Sequence, residues 1–284
     1  MYKINSFSFQ KAVQKHVTGT TRKRISRTNL GNIKFHVPPL SEQKRIVAIL
    51  DKAQQLIDLR RQQLTKLDEL IQSIFYDMFG DPVTNPKGWE VKKLGEVSSL
   101  TTKGSSPKWQ GFDYQSQGIR FITSENVLLG KLDVSKDKFI PEEFHDKLSR
   151  SKLAENDLLI NLVGASIGRS CLMTKDALPA NINQAVSLTR LSVDLTNPLY
   201  VLYLLITQPM QDELCGNKVE GARANISLKN VRELKIIFPP LELQNQFASK
   251  VEKIEGQKKV MQQSLAKLEE NFKALQQRAF RGHL

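Results

Sequence analysis

Apolar residues recur at alternating four- and three-residue steps in two long stretches of this chain. The first row is Ile46, Leu50, Ala53, Ile57, Arg60, Leu64, Leu67, Ile71, Ile74 and Met78, broken only by Arg60. The second is Phe247, Val251, Ile254, Lys258, Met261, Leu265, Leu268, Phe272, Leu275 and Ala279, broken only by Lys258. Such a row is the seam of a coiled coil, because a mean spacing of about 3.5 residues keeps one stripe aligned along a helix pair. At about 1.5 Å per residue, some 38 residues make a rod of roughly 57 Å, too long to bury its stripe against a single small domain. The two seams are therefore expected to meet, with Ile57, Leu64, Leu67 and Ile71 pairing against Ile254, Leu265, Leu268 and Phe272.

The rods belong to a longer internal repeat. Ile25-Ser26-Arg27-Thr28-Asn29-Leu30 is echoed by Ile226-Ser227-Leu228-Lys229-Asn230-Val231, an offset of 201 residues (226 − 25). The same offset relates Val37-Pro38-Pro39-Leu40 to Phe238-Pro239-Pro240-Leu241, Gln43 to Gln244, Leu64-Thr65-Lys66-Leu67 to Leu265-Ala266-Lys267-Leu268, and Phe79 to Phe280. Each copy predicts a basic loop, a short strand (33–37 and 234–238) ended by the Pro-Pro pair, and then a long helix, since proline neither extends a helix nor donates to a ladder. Gly80-Asp81-Pro82 stops the first rod and Asn85-Pro86-Lys87-Gly88 is rich in turn residues, so a new domain opens near Trp89 and closes at Phe238. That middle segment has strand-like runs at 158–163 and 185–191 and one predicted helix at 198–214. The expected fold is α+β: one globular domain with a β-rich core, plus two long helices pairing as an antiparallel coiled coil.

Charge adds a partner class. The formal net charge is +13, and a surface excess of Lys and Arg attracts phosphate and releases its counterions. Lys3, Lys11, Lys15, Arg22, Lys23, Arg24, Arg27 and Lys34 all precede the first acidic residue, Glu42. Cys171 and Cys215 have no paired spacing, and His16, His36, His145 and His283 are scattered, which predicts reduced thiols, a cytoplasmic protein and no structural metal. The longest apolar run, 199–206, falls far short of the roughly 20 residues of a membrane span, and the start of the chain has no apolar signal-peptide core. Catalytic motifs are missing too. Asn197-Pro198-Leu199-Tyr200 lacks the second proline of an amino-methyltransferase motif, and there is no phosphate-cradling Gly-x4-Gly-Lys-Ser/Thr loop, Ser-His-Asp set or paired catalytic carboxylate.

The order of motifs resembles the specificity subunits of type I restriction-modification enzymes over nearly the whole chain. The carriers are Gly88-Trp89-Glu90-Val91-Lys92-Lys93-Leu94-Gly95-Glu96-Val97, Gly104-Ser105-Ser106-Pro107, Gly118-Ile119-Arg120-Phe121-Ile122 with Asn126-Val127, and Gly164-Ala165-Ser166-Ile167-Gly168-Arg169. After them come Asn183-Gln184-Ala185-Val186, Gly221-Ala222-Arg223-Ala224-Asn225-Ile226-Ser227, the Pro-Pro-Leu joint, and Ala279-Phe280-Arg281-Gly282-His283-Leu284. The resemblance implies residues 1–40 as the remnant of a first target-recognition domain (its last helix and strand), 41–80 as a spacer helix, 81–88 as a linker, 89–240 as a complete target-recognition domain and 241–284 as a second spacer helix. It implies a truncated subunit, or a half-subunit that homodimerises, reading one part of a split target in double-stranded DNA. Adenine-methylating modification subunits and a motor-nuclease restriction subunit are the implied protein partners; no cofactor is expected on this chain, with S-adenosylmethionine and ATP on the partners.

Reading base edges takes paired hydrogen bonds, Arg to guanine and Asn or Gln to adenine, with Lys and small hydroxyls on phosphates. Loops with that chemistry nominate Lys103, Ser105, Ser106 and Lys108, then Arg120, Thr123 and Ser124, then Ser166 and Arg169, and finally Arg223 and Asn225. Trp109 is expected in the core, where aromatics more often lie. Asn183-Gln184 reads equally as a buried turn or a base reader, and Arg22-Lys23-Arg24 as a phosphate contact or a mobile tail. The competing reading is a coiled-coil assembly protein whose basic surface is not specific for DNA.

Overall fold

The computed structural model describes residues 2, 4, 6–20, 22–35, 37–216 and 225–280. In chain order it contains helices α1 (Phe7–Gln14), α2 (Arg27–Gly31) and α3 (Leu40–Phe79), then strands β1 (Val91–Lys93), β2 (Ser98–Lys103), β3 (Ile119–Ile122) and β4 (Phe139–Ile140). Helix α4 (Glu142–Lys147) precedes β5 (Leu158–Asn161), β6 (Ser170–Leu172), β7 (Ala180–Ile182) and β8 (Val186–Leu191). Helices α5 (Pro198–Leu205), α6 (Gln208–Cys215) and α7 (Leu228–Glu233), strand β9 (Lys235–Ile237) and helix α8 (Leu241–Ala279) complete the order. Contacts divide the chain into two compact units, 1–69 with 254–284, and 70–253.

The sequence repeat is also a repeat of hydrogen bonds. Helices α1, α2 and α3 begin 201 residues before α6, α7 and α8 (208 − 7, 228 − 27 and 241 − 40). Ser26 caps α2 by accepting from the Asn29 amide at 3.1 Å, and Ser227 caps α7 by accepting from the Asn230 amide at 3.1 Å. Both hydroxyls serve first-turn N–H groups that have no partner within the helix. Gln43 Nε2 donates to the Pro38 carbonyl at 2.8 Å, and Gln244 Nε2 to the Pro239 carbonyl at 2.8 Å.

The copies part at the predicted strands. Residues 235–237 form β9 in antiparallel register with β1, Val91 opposite Ile237. The described residues of 33–37 form no strand. A strand is completed only by a neighbour for its N–H and C=O groups, and β1 has no counterpart beside the first copy among the described residues. The predicted helix 198–214 is likewise two helices. Thr207 breaks it with extended backbone at φ −63°, ψ 146°, and Pro209 starts α6 in the first turn, where a missing N–H costs nothing.

In the first unit the starts and ends of the two rods run antiparallel. Ile46 and Leu50 cluster with Phe272, Leu275 and Ala279, while further along Arg61 meets Glu269 at 2.6 Å and Asp68 meets Lys258 at 2.6 Å. Every member of both heptad rows is buried or half-buried: Ile57, Ile71 and Ile254 buried, Leu64, Leu67, Leu265, Leu268 and Phe272 half-buried. Lys258, the polar break in the second row, holds Asp68 and Glu255, each at 2.6 Å. Burial pulls its pKa down, but the two carboxylates outweigh that and hold the ammonium above the ordinary lysine range.

In the second unit a four-stranded antiparallel sheet, β2-β8-β5-β6, lies with a three-stranded sheet, β4-β3-β7, in which β3 and β7 run parallel. Ile122, Leu159, Ile182, Val186 and Leu188 share one buried cluster with Cys171 and Met173. Burial pushes the Cys171 thiol up to about 12, so it is neutral packing. Phe75, Phe79, Tyr200 and Phe247 are all fully buried in one aromatic group, with Phe79 and Tyr200 edge to face at 4.8 Å. Among the described residues no helix is long and apolar enough to cross a membrane.

Candidate nucleic-acid interface

The sheet registers bring five chain segments to one end of the second unit. Lys103 stands opposite Ser187 and Asn161 opposite Val186 in antiparallel ladders, while Ile122 pairs with Ile182 in a parallel one. The exits of β2, β3, β5 and β7 and the entrance of β8 therefore coincide. Backbone hydrogen bonds then stitch the loops together: Gly104 N–H to the Asn183 carbonyl at 3.2 Å, Asn183 N–H to Ile122 at 3.0 Å, Leu162 N–H to Ala185 at 2.8 Å, and Ile226 N–H to Leu162 at 2.8 Å. Asn225 joins by a bridge to Val163. Gly104 is required by this closeness, since a Cβ there would lie 1.6 Å from the Ile182 carbonyl oxygen.

Asn161 fixes two of the loops. It ends the fully buried strand β5, and its Nδ2 donates to the Ser124 carbonyl at 3.0 Å, the Val127 carbonyl at 3.2 Å and Ser166 Oγ at 3.1 Å. Its backbone closes the second loop, accepting from Gly168 N–H and donating to the Arg169 carbonyl, each at 2.9 Å. Asn126 does similar work one turn away, its Oδ1 accepting from the Thr123 N–H at 2.9 Å and the Thr123 hydroxyl at 3.0 Å. Neither asparagine was among the nominated residues. For Asn161 the signal is a polar side chain inside an apolar run, Leu158-Leu159-Ile160-Asn161, where burial demands a local partner; Asn126, after Ser124-Glu125, has no such signal.

The nominated residues fall into groups. Lys103, Lys108, Arg169 and Asn225 are exposed, and the three cations form no ion pair among the described residues. Ser105, Ser106, Ser124 and Ser166 are half-buried at the loop edges. Thr123 is buried in its turn, and Arg120 spends its guanidinium on Asp137, with two bonds of 3.0 Å. Arg223 lies outside the described residues. Trp109 differs from its core expectation, being 73% exposed. It sits on the single turn Lys108–Gln110 before Gly111 at φ 81°, and Pro107 takes the buried place instead. Asn183 belongs to the turn reading, its Oδ1 accepting from the Ala185 N–H at 3.0 Å, whereas Gln184 Oε1 is buried without a hydrogen-bond partner. Among the described residues no group of three or more His, Cys, Asp or Glu side chains stands together as a metal site.

A rigid base of paired strands thus presents flexible cations, hydroxyls and one indole on loops held by buried amides. That arrangement suits recognition of a polyanion. The family model of the type I restriction modification DNA specificity domain matches residues 2–69 and 86–270, and the chain belongs to that family. Among curated relatives, the EcoBI specificity subunit of Escherichia coli is 24% identical over 302 residues, covering 96% of this chain and 63% of the relative. The MjaVIII specificity subunit of Methanocaldococcus jannaschii is 24% identical over 273 residues, covering 90% of this chain and 63% of that one. The solved HsdS subunit from Thermoanaerobacter tengcongensis superposes with a TM-score of 0.53 at 23% identity, over 96% of this chain and 68% of that chain, which shows a shared fold. The chain spans less than two thirds of the length of the curated relatives it matches.

Proposed function

We propose that this protein is a sequence-reading subunit: it binds double-stranded DNA through residues 89–240 and has no catalytic centre of its own. The observation that carries the reading is the stitching together of the loops next to Lys103, Arg169 and Asn225 at one end of the sheets, in a chain of the DNA specificity family. Exposed Lys and Arg side chains supply phosphate contacts, while Arg169, Asn225 and the half-buried serines have the donors and acceptors that base edges require. Arg223, between α6 and α7 in sequence, stays a nominated reader. Arg120 and Thr123 shape their loop, because their polar groups are already engaged. Residues 25–40 repeat the segment that closes the recognition domain in the second copy.

The paired rods, 41–80 and 241–284, serve as a spacer, held by Ile57, Leu64, Leu67 and Ile71 with Ile254, Leu265, Leu268 and Phe272, and as the platform for adenine-methylating subunits. Those subunits carry S-adenosylmethionine, and a restriction subunit carries ATP for cleavage; all would act in the cytoplasm. Titrating labelled duplex DNA at rising salt tests the binding. Three to five phosphate contacts give a slope of log affinity on log salt of about −3 to −5. Binding without steep salt dependence, or a chain that neither co-purifies with a methyltransferase nor directs methylation to a defined sequence, leaves the assembly-scaffold reading instead.

A further inference from the structure

Asn183, Gln184 and Ala185 turn the chain from β7 into β8 at the stitched end of the sheets. Three other segments clasp this turn. Asn183 donates its N–H to the Ile122 carbonyl at 3.0 Å and accepts from the Gly104 N–H at 3.2 Å, while the Ala185 carbonyl accepts from the Leu162 N–H at 2.8 Å. The Asn183 side chain is spent inside the turn on the Ala185 N–H. Gln184 stands between them, half-buried, and among the described residues neither end of its amide has a hydrogen-bond partner, although Oε1 is buried. The neighbouring amides are settled. Asn126 holds Thr123 and the Asp133 carbonyl, and Gln211 holds the Gly168 and Leu205 carbonyls. Asn161 also has one orphaned oxygen, but its Nδ2 serves three acceptors and the side chain is 0% exposed, so it is locked in place. A buried acceptor without a donor costs the folded chain stability, so an amide held this way by a rigid frame calls for a donor from outside the chain.

We propose that Gln184 is a specificity-determining residue that reads one adenine through the major groove, an inference that rests on these loops being a DNA-binding surface. A terminal amide turns in a broad, two-fold well about its last side-chain torsion, so Oε1 swings from its cover to the open edge of the half-buried side chain. The amide then presents an acceptor and a donor side by side. Adenine offers the matching pair, its N6 amine to Oε1 and its N7 to Nε2, whereas guanine offers two acceptors and cytosine and thymine one polar group each. Lys103, exposed at the end of β2 next to the Gly104–Asn183 bond, supplies the phosphate contact that sets how deep the side chain enters. The clasped turn does not follow a different base, so a wrong base leaves the amide unpaired. A bidentate pair of this kind is worth about 5- to 150-fold in discrimination.

Selection of random duplexes by the full chain, with sequencing of the bound fraction, tests this. Gln184→Ala should lose about 5- to 150-fold of the preference for adenine at one position and keep the preferences elsewhere. Its melting temperature should equal or exceed the parent's, since an orphaned acceptor is removed. Gln184→Glu, which keeps the shape but only accepts, should move that position toward cytosine, whose N4 amine donates. In a duplex of the selected sequence, an adenine analogue lacking the N7 nitrogen should weaken binding by the parent and leave Gln184→Ala unaffected. An alanine variant that keeps every preference overturns the proposal. So does one that loses preference evenly at all positions while melting lower, which makes the amide a part of the turn. In both cases the parent still selects a sequence and the DNA reading stands; a parent that selects none removes both.

Discussion

Asn161→Ala removes the amide whose two N–H groups serve three acceptors, Ser124 O, Val127 O and Ser166 Oγ, at 3.0 to 3.2 Å. The side chain is 0% exposed, so water does not replace the amide without an opening of the loops. Leaving buried carbonyls unpaired costs about 1–3 kcal/mol each, and the cavity left by the missing atoms about 1 kcal/mol more. One gain offsets this: Asn161 Oδ1 is buried without a partner, and its removal returns about 1 kcal/mol. The net expectation is a loss of about 2–6 kcal/mol in urea unfolding. Asn161→Asp sharpens the test, because a carboxylate faces three acceptors and is favoured only when protonated. Its folded pKa then lies above the unfolded value near 3.9. The deficit against the parent protein should be smallest in acid and should grow as pH rises through the folded pKa. A loss under about 1 kcal/mol for the alanine variant, or an aspartate deficit that does not change with pH, would show that the two loops hold their shape without this amide.

Leu50→Asp, at a fully buried seam position, should cost about 3–5 kcal/mol, while Leu59→Asp on the exposed side of the same helix should cost under about 0.5 kcal/mol; equal effects in thermal melts would remove the heptad reading. Burial and then Lys152 hold the His145 pKa below its ordinary value, against Asp146 and Glu142. The folded chain therefore binds this proton less readily than the unfolded one, and its contribution is present above about pH 6.5 and lost as pH falls below that. Urea midpoints at pH 7 and 5 should show a smaller acid loss for His145→Gln than for the parent. Lys258→Met should change stability by between zero and about +1 kcal/mol, because Asp68 and Glu255 are exposed enough to return to water; a loss above about 2 kcal/mol in urea unfolding would mean that the ion group holds the rods. Trp109→Ala should shift the melting temperature by less than about 2 °C and weaken duplex binding about tenfold. An unchanged affinity in the salt titration would take the indole out of the interface.

The two rods and their pairing were legible because apolar spacing and the Pro-Pro joints are local to the structure they specify. The short helices α2 and α7 stand where only a basic loop was expected, and their signal was the capping serine at Ser26 and Ser227. The loop end was legible as a set of motifs and not as roles for single residues. Arg120 carries the chemistry of a base reader, and only the fold reveals Asp137 beside it. Thr123 has the same polarity as Ser124, yet the Asn126 turn buries one hydroxyl and not the other. Trp109 was misjudged because its hydrophobicity says nothing of a short turn that lifts it away from the sheet, with Pro107 left to fill the gap.

The two copies show why strands were harder to place than helices. A helix pairs its backbone within itself, so α1, α2 and α3 recur 201 residues later as α6, α7 and α8, with the serine cap of α2 matched on α7, although their surroundings differ. A strand borrows half of its hydrogen bonds from elsewhere. Residues 235–237 have β1 beside them and form β9; the described residues of 33–37, with the same apolar alternation and the same Pro-Pro stop, have no such neighbour and form no ladder. The pattern in 33–37 therefore encodes a capacity to pair, and its exposed Phe35 and Val37 mark that capacity as unspent. Supplying a matching edge should convert residues 34–37 to strand without altering α3, while the Ile33 N–H keeps its 3.3 Å bond to the Leu30 carbonyl at the end of α2.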